Sequence, residues 1–518
     1  MRSIASHWRA GISLLAAFAA LSAPLRAAER PRYGGTLRVE MRAAAVSLDP
    51  RDWRAGSEEA ASGAKLAALL FDRLVALDNY GRFLPQLAAE WSHDPSFHRW
   101  QFTLRPEVKF SDGTPLTAAG VAAALAPLLP ATRQVSASGS AVVFQSAAPM
   151  PDLLEELASG RYFIYRAPSA GVLLGTGPFV LAAAPPASAA GAASPPPGAA
   201  LARNEAHLTF RANAEAWSGR PFVDAVEVTL GVPPLRQLYD LQLGRADLIE
   251  LSPDLVRRAV QAGLHTWASA PVTLYALRFD DTLPAVQDAH LREALALSLD
   301  RATMAGVLLQ KQAEPAAALL PPWLSGYAFL FTVETNVERA KEMRAALPAT
   351  LATVAEPLRL RVDAPGDLAR LLGDRIAVNA RQASLVVQVV NRMGARAAAG
   401  VPASREPAPG MRLVAWRFRS LSARAELDAF AAALGLAESA ESAGSAASSA
   451  DPAQLHAREL RLLAERRVLP LVFLPEFAGV GSHVRDWMPA SWGDWHLAEV
   501  WLDSSESSAP AKSSGETP

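Results

Sequence analysis

Hydrophobic and polar residues alternate over residues 100–104, which read Trp-Gln-Phe-Thr-Leu. This period of two indicates a strand with one buried face. Pro106 ends the run, and a second short strand is predicted to begin at Val108. Residues 111–115 (SDGTP) are typical of a compact turn, and Thr117 is placed to cap an alanine-rich helix by accepting a hydrogen bond from a free backbone amide. The pattern therefore predicts two strands, a turn and a capped helix.

Similar patterns recur along the rest of the chain. Alternation and short apolar runs predict strands at residues 272–281, 358–362, 385–390, 413–419 and 469–474. Apolar positions at helical spacing predict helices within residues 65–77, 288–304 and 454–466. Two stretches rich in small residues and of low complexity, residues 185–200 and 438–453, are predicted to be flexible loops.

The chain has 518 residues, enough to bury sizeable cores and to form two or more domains. Its 50 Lys and Arg residues balance 51 Asp and Glu residues, which gives a formal net charge of −1. Such a chain has no strong field that would steer it to nucleic acid or to an anionic membrane. We therefore predict no nucleic-acid partner and expect partners to be recognised at local sites.

The first residues have the pattern of a secretory signal peptide. Two arginines supply a positive start, residues 12–21 form an apolar run, and residues 24–28 form a cleavage region with small residues. The predicted signal peptide covers residues 1–27, with cleavage after Ala27 or Ala28. No later stretch approaches the roughly 20 apolar residues that a membrane helix needs, so we expect a soluble mature protein.

Residue types that support catalysis do not occur in recognisable arrangements. The nine histidines are scattered, with no HExxH motif and no pair at metal-ligand spacing. A G-x-S-x-G nucleophile elbow is missing, since residues 400–404 lack the second glycine. The chain contains no cysteine, which excludes disulfides, thiolate metal sites and a cysteine nucleophile. These features predict a protein that is not an enzyme and needs no cofactor.

Residues 100–121 resemble the signature of the family 5 solute-binding proteins of ABC transporters, which include peptide and nickel receptors. The family pattern runs close to F-x-L-R-x-x-V-K-F-S-D-G-T-P-L-T-A-x-D-V, and Gly120 departs from it because the family usually has Asp there. Further segments that resemble the family are residues 34–40 (GGTLRVE), 74–91, 175–179 (GTGPF) and 217–224. Coverage is nearly continuous from residue 34 to residue 121.

The resemblance implies an α/β fold of periplasmic binding protein type II, with two lobes joined by crossover strands and an inserted side domain. The implied boundaries are 32–75 for the first part of lobe I, 76–167 for the side domain, 168–270 for the continuation of lobe I, 271–470 for lobe II and 471–503 for the return to lobe I. Residues 504–518 are predicted to be a disordered tail.

By resemblance, the loop after the first strand lies at the ligand cleft. Ala45, Val46 and Ser47 would line this cleft, partly through backbone groups; the alternative is a plain buried strand end. The predicted strand at residues 272–281 would cross between the lobes. Asp280 stands near the hinge where the family usually has Asn, so one polar contact there would be altered in charge.

The most consequential departure from the family follows Trp416. Peptide receptors of the family usually continue this tryptophan with an acidic stretch, in which an aspartate pairs with the free ammonium group of the peptide. This chain has Arg417 and Arg419 instead, and a guanidinium cannot accept a hydrogen bond and repels an ammonium. Arginines that face the cleft would suit a carboxylate or a phosphate. On an alternating strand, both could equally face solvent.

The resemblance implies a periplasmic substrate-binding protein, monomeric, that captures a peptide or related small solute between two closing lobes and delivers it to ABC permease subunits in the inner membrane. The lack of cysteine excludes the lipid anchor of many such receptors, so it would not be a lipoprotein. Two alternatives remain open. One is a ligand sensor or envelope interaction protein that is no longer coupled to transport. The other is a nickel or metallophore receptor, for which the sequence shows no convincing histidine cluster.

Overall fold

A computed structural model describes residues 30–78, 80–167, 173–182, 206–280, 284–347, 357–364, 366–391, 410–436 and 451–503. The predicted signal peptide, the predicted loop at 185–200, most of the predicted loop at 438–453 and the predicted tail lie outside the described residues.

Within the described residues, the strands are β1 (Thr36–Glu40), β2 (Val75–Leu77), β3 (Phe83–Pro85), β4 (Ala88–His93), β5 (Arg99–Leu104), β6 (Arg133–Ser138), β7 (Ala141–Ser146), β8 (Phe179–Leu181), β9 (His207–Ala212), β10 (Ala225–Thr229), β11 (Leu248–Leu251), β12 (His265–Phe279), β13 (Glu314–Pro315), β14 (Leu358–Val362), β15 (Val387–Asn391), β16 (Met411–Arg417), β17 (Val468–Val480), β18 (Val484–Arg485) and β19 (Trp501–Leu502).

The α-helices of the same residues are α1 (Glu58–Leu70), α2 (Ala118–Leu125), α3 (Leu153–Leu157), α4 (Pro234–Gln242), α5 (Pro253–Gln261), α6 (Pro284–Gln287), α7 (Ala289–Ser298), α8 (Arg301–Thr303), α9 (Pro322–Ser325), α10 (Val337–Ala345), α11 (Gly366–Gln382), α12 (Ala423–Leu434) and α13 (Pro452–Ala464).

One large sheet runs through both lobes. Its strands follow the order β15-β14-β16-β12-β17-β11-β1-β10-β9-β8, with β13 paired to β17. β12 and β17 have 15 and 13 residues and pair antiparallel over most of their length. On one side of this pair, β11, β1, β10, β9 and β8 belong to lobe I; on the other side, β16, β14 and β15 belong to lobe II. The α/β fold with two lobes and crossover strands agrees with the prediction.

The two crossover strands are longer than predicted. Prediction began the first of them at residue 272, whereas β12 begins at His265. Pro271 has no amide hydrogen to donate, and the register against β17 shifts on both sides of it. The predicted boundaries at 270/271 and 470/471 each cut through one of these strands, because the lobes share them.

The side domain contains a separate antiparallel sheet in the order β4-β5-β7-β6. The apolar residues of β5 are buried, as the alternation predicts. Thr117 Oγ1 accepts the amide of Gly120 at 3.1 Å and caps α2, also as predicted. The predicted second strand after Pro106 is wrong, since Lys109 makes only an isolated bridge to Pro115.

The predicted single helix at residues 288–304 is also wrong. Leu299 adopts an extended conformation and ends α7, and Asp300 then caps α8 by accepting the amide of Thr303 at 2.9 Å. An Asp side chain that satisfies free amides favours a new helix start over continuation of the old one.

The glycines of the GTGPF segment allow it to cross the end of α1. A Cβ on Gly175 would lie 1.9 Å from the carbonyl oxygen of Leu70, and a Cβ on Gly177 would lie 2.5 Å from the carbonyl carbon of the same residue. Every other residue type carries a Cβ, so the tight backbone path that the motif predicted requires glycine at both positions.

Glu459 on α13 is a fully buried carboxyl group of lobe II. Its Oε1 accepts hydrogen bonds from the backbone amides of Leu319 and Leu320, the latter at 3.1 Å. Burial raises the pKa of Glu459 from 4.5 to about 7, although these two hydrogen bonds oppose the shift. A carboxyl whose pKa is raised by folding stabilises the fold at low pH, and this contribution is lost as the pH rises through the folded-state value.

Replacing Glu459 with Gln should therefore change the pH dependence of stability. Above about pH 7 the wild-type chain must bury an ionised carboxylate, whereas Gln keeps an acceptor for the two amides and stays neutral. We expect similar free energies of unfolding at pH 5, and at pH 8 a wild type that is less stable than Glu459→Gln by up to about 3 kcal/mol. Urea unfolding measures both values.

The control for this comparison is Glu465→Gln, at the exposed C-terminal end of the same helix. Its stability should follow that of the wild type across the same pH range. Parallel curves for the wild type and Glu459→Gln would contradict the assignment.

Candidate functional site

A cavity of about 1620 Å³ lies between the lobes. Lobe I contributes the residues that follow β1 and β11, which are parallel neighbours. Lobe II contributes the ends of β14 and β16, which are also parallel. In open α/β sheets the carboxyl ends of parallel strands are the usual place for ligands. We call this cavity the interlobe cleft.

Charged side chains on the floor of the interlobe cleft form a continuous network. It runs from Glu58 through Arg42, Glu250, Lys65 and Glu476 to Arg417, with nitrogen–oxygen distances of 3.0, 3.6, 3.1, 3.0 and 2.8 Å in that order. We call these six residues the cleft charge network. The network contains three cationic and three anionic side chains, so the fully ionised network carries no net charge.

Burial makes each charge of this network depend on its neighbours. Lys65 and Glu250 are each 7% exposed. Burial by itself would raise the pKa of Glu476, but Arg417 and Lys65 outweigh it and lower this pKa to about 2. Burial acts to lower the pKa of Lys65, but Glu476 and Glu250 outweigh it and raise this pKa. An ionised pair of this kind is maintained only while both partners are present.

The predicted loop residues divide between the cleft and the interior. Ala45 lies in the wall of the interlobe cleft. Val46 packs against the core of lobe I. Ser47 accepts the indole N–H of Trp53 through its carbonyl oxygen at 2.8 Å and donates its hydroxyl to Asp52 at 2.6 Å. Of the three, Ala45 is in place to contact a ligand, and Ser47 instead holds its own loop together.

Trp416 lines the interlobe cleft and is held rigidly. Its indole N–H donates to Glu426 at 3.1 Å, and its ring meets Phe430 edge-on at 5.2 Å. Gly56 lies against the ring with φ of +73°, where a Cβ would come within 2.2 Å of the indole. The glycine therefore both permits the turn and leaves room for the tryptophan.

The two predicted arginines point inward, so the solvent-facing alternative is wrong for Arg417. Its side chain is 7% exposed; Nε donates to Glu476 at 2.8 Å and Nη2 donates to the carbonyl oxygen of Trp492 at 2.8 Å. Because Glu476 already matches its charge, Arg417 does not offer the free cation that was predicted for an anionic ligand. Its role as a ligand contact stays a prediction.

Arg419 does not face the interlobe cleft. It lines a second cavity of about 770 Å³ on the other side of Lys65 and Arg417, two residues that contribute to the walls of both cavities. The guanidinium lies over the indole of Trp53, 4.8 Å from the ring centroid. Arg417 thus lines both cavities and Arg419 lines the second, and the role of Arg419 as a ligand contact stays a prediction.

Asp280 is not part of either cavity wall as described. Its carboxylate pairs with Arg412 at 3.0 Å, and Arg412 is the member of this pair that lines the interlobe cleft. In this position Asp280 is placed to orient a cleft arginine, and its role as a ligand contact stays a prediction.

Sequence reasoning missed Lys65, Glu250 and Glu476, although a signal was present. Each is a single charged residue among small or apolar neighbours: Lys65 within residues 60–70 of α1, Glu250 in β11 and Glu476 in β17. Fully buried Lys and Glu are rare unless they are paired. A single charge at an apolar position therefore indicates a partner elsewhere in the fold.

No group of three or more His, Asp or Glu side chains is arranged to hold a metal ion in the described part of the chain. Among the same residues, no helix combines the length and the apolar character that crossing a membrane requires.

A family profile described as "Bacterial extracellular solute-binding proteins, family 5 Middle" matches residues 82–353, more than half of the chain. The "Nickel-binding periplasmic protein" of Escherichia coli is 22% identical over 286 residues, which cover 49% of this chain and 51% of that protein. The chain spans about half the length of the curated relatives that it matches over the longest stretches.

Solved structures share the fold. The ABC transporter substrate-binding protein CtaP of Listeria monocytogenes aligns with a TM-score of 0.71 at 13% identity, over 91% of this chain and all of that one. Haemophilus influenzae OppA, in complex with the peptide RPPGFSPFR, aligns with a TM-score of 0.69 at 15% identity, again over 91% of this chain and all of that one. These neighbours have the periplasmic binding protein type II fold, which the sequence predicted.

Replacing Lys65 with Met should strongly destabilise the protein. The substitution keeps most of the side-chain volume but leaves Glu250 and Glu476 buried without this shared cation. We expect the free energy of unfolding to fall by about 3–5 kcal/mol, as measured by urea unfolding. Lys341→Met, which removes an exposed pair with Glu338, should change it by at most about 1 kcal/mol. Equal effects of the two substitutions would show that the network is not held by paired charges.

Proposed function

The chain belongs to the bacterial extracellular solute-binding proteins of family 5, and from this premise we propose that it captures a peptide or a related small solute between its lobes and delivers it to ABC permease subunits. It makes and breaks no covalent bond. Affinity comes from removing the ligand and the cleft walls from water together while their polar groups find partners.

The observation that carries the proposal is the interlobe cleft beside the two crossover strands. Residues from both lobes form its walls, so a ligand there touches both lobes at once. Its volume of about 1620 Å³ exceeds the roughly 300–1,000 Å³ of a site for a small molecule. This size supports a solute larger than a single amino acid, such as a peptide of several residues.

The charges of the wall support a ligand that carries both signs. Eight Lys and Arg residues and seven Asp and Glu residues line the cleft. Many of them already pair within the wall, as Arg361 does with Asp363 at 2.6 Å. A nearly balanced wall suits a zwitterionic or mixed-charge solute, whose groups can exchange partners with these pairs, more than a ligand of one sign.

A second group of contacts joins the side domain to lobe II. Arg424 on α12 donates to Asp152 through Nε at 3.0 Å and through Nη2 at 2.9 Å, and to Glu156 at 2.6 Å. Ser422 also donates to Asp152, at 2.7 Å. We call these four residues the side-domain clamp. Asp152 and Glu156 lie about 270 positions before Ser422 and Arg424 in the sequence. The clamp therefore holds together two parts of the chain that must separate when the lobes open.

Location and partners follow from the family and from the predicted signal peptide. We place the mature protein in the periplasm, free of a lipid anchor, and expect a monomer whose closed form the inner-membrane permease recognises. The closed form is favoured by whatever binds it better than the open form.

Breaking the side-domain clamp should shift the protein toward an open form. Arg424→Gln removes the guanidinium fork and leaves the buried carboxylate of Asp152 without this cation, whereas Glu156 keeps its ion pair with Arg133, so closure becomes less favourable. In small-angle X-ray scattering we expect a larger radius of gyration than for the wild type. If the substitution lowers the population of the closed form to about one tenth of its wild-type value, the apparent affinity for the ligand falls about 10-fold. Arg220→Gln breaks the exposed pair with Asp224 inside lobe I and should leave both quantities unchanged. An unaltered radius for Arg424→Gln would mean that the clamp does not control opening.

Native mass spectrometry of protein purified gently from periplasm tests the function directly. We expect a bound molecule of defined mass that denaturation releases, because closed lobes dissociate their ligand slowly. A clean apo mass, together with no thermal shift from panels of peptides, sugar acids and metal ions, would overturn the proposal. That result would favour a sensor or interaction protein that is not coupled to transport.

A further inference from the structure

The second cavity is a separate chamber behind the cleft charge network. Its walls come from the end of α1, from the junction of the side domain with lobe I, and from residues 492–499 near the C-terminal end of the described chain. Lys65 and Arg417, whose charges are matched by Glu250 and Glu476, separate it from the interlobe cleft. Its volume of about 770 Å³ falls in the range of about 300–1,000 Å³ for small-molecule sites.

Arg419 brings an unmatched positive charge to this chamber. Its Nη2 is buried and has no hydrogen-bond partner among the described residues. Among the described residues, Arg419 forms no ion pair. The carboxylate of Glu426 accepts hydrogen bonds from the backbone amide of Arg419 at 2.7 Å and from the indole N–H of Trp416. Burial, with Arg417 and Arg73 nearby and against Glu426 and Asp494, lowers the pKa of Arg419 to about 10, so it is still charged at neutral pH.

Two further buried nitrogens without partners lie in the same walls. Arg73 is 8% exposed and donates through Nη1 to the carbonyl oxygen of Ala158, while its Nε has no partner in the described chain. His496 Nε2 is likewise buried without a partner. Arg73 lies over the ring of Phe163 at 5.2 Å, and this ring meets Trp53, under Arg419, at 6.3 Å. Each of the two guanidinium groups therefore stacks on one ring of the Phe163–Trp53 pair.

The carboxylates in these walls are already engaged or exposed. Asp72 accepts hydrogen bonds from Gln86, Thr176 and Trp217. Asp78 pairs with Arg82, and Asp486 accepts the indole of Trp501. Asp494 accepts the indole of Trp492 at 3.2 Å and lies 3.8 Å from Arg73, and Glu499 is exposed. Among the described residues of these walls, no carboxylate forms an ion pair with Arg419.

Much of the remaining wall is aromatic or aliphatic. Its large rings come from Phe71, Phe163, Trp217, Phe222, Phe418, Trp492 and Trp495. Such rings favour an apolar or aromatic body over a bare inorganic ion.

We propose that the second cavity is a ligand subsite for a planar carboxylate carried by an apolar body, gripped by Arg419 and assisted by Arg73 and His496. This inference rests on the proposed function and specifies part of its ligand. A guanidinium presents two parallel N–H groups that match the two oxygens of a carboxylate. Burying this cation without a counter-charge is costly, and the carboxylate removes that cost. The carboxylate belongs either to a free organic acid or to the C-terminus of a peptide.

Calorimetric titration with matched acid and amide pairs tests the subsite on the full mature protein. The pairs are 3-phenylpropionate with 3-phenylpropanamide, and N-acetyl-alanyl-phenylalanine with its C-terminal amide. We expect the acid of at least one pair to bind and its amide to bind about 10-fold to 100-fold more weakly, since a charge-assisted contact is lost. Preference for the first acid identifies a free organic acid as the source, and preference for the second identifies a peptide C-terminus.

Variants then locate the effect. Arg419→Gln should abolish the preference for the acid over the amide. Arg105→Gln is the matched control, because Arg105 stacks on Trp217 at 4.8 Å without lining the cavity, and it should bind like the wild type. If Arg419→Gln does not fold, Arg419→Lys keeps the charge but loses the planar fork and should weaken acid binding alone.

Three results would overturn the inference: equal binding of acids and amides, an acid preference that survives in the Arg419 variants, or no binding of either acid at millimolar concentration. Its failure is distinguishable from failure of the proposed function. A neutral or cationic ligand released in native mass spectrometry would leave the binding function standing and remove the anion subsite. A clean apo mass with no thermal shift would remove both.

Discussion

The antiparallel pairing of β12 with β17 is the constraint on which the rest of the structure depends. Both strands belong to both lobes, so one ladder of hydrogen bonds carries the chain from lobe to lobe twice. Pro271 and Pro475 stand opposite each other in this ladder, where neither can donate an amide hydrogen and the register shifts. Ser269 supplies a local substitute by accepting the amide of Glu476 at 2.8 Å. The ladder is therefore weakest at the waist between the lobes, the place where a two-lobed protein has to bend.

Charge burial next to this waist follows from the same geometry. Glu476 follows Pro475 on β17, and Arg417 ends β16 beside β12. Both side chains are largely buried, with exposed fractions of 7% for Arg417 and 19% for Glu476, so each needs a partner, and Lys65 on α1 completes the balance. Arg419, only two residues beyond Arg417, lies past the end of β16 and reaches a different chamber. One arginine is thereby part of the scaffold and the other is left without a counter-charge.

Contacts far apart in sequence also decide how the side domain relates to the lobes. Asp72 anchors three donors at the junction of the side domain with lobe I, and Asp152 does the same for Ser422 and Arg424 of lobe II. Both carboxylates hold together parts of the chain that lie far apart in sequence. The side domain is therefore joined to both lobes through buried carboxylates.

Local pattern was sufficient wherever one short stretch determines its own structure. The alternation at β5, the Thr117 cap and the turn around Asp112 follow from propensities and hydrogen bonds that act within a few residues. The family resemblance added the two-lobe fold. By contrast, the extent of β12 beyond Pro271 and the partners of Lys65, Arg417 and Asp280 were decided by tertiary structure alone. A strand is extended where a neighbouring strand supplies partners for its backbone hydrogen bonds. A buried charge is stabilised by an opposite charge that can lie hundreds of residues away in the sequence, so a local pattern cannot identify its partner.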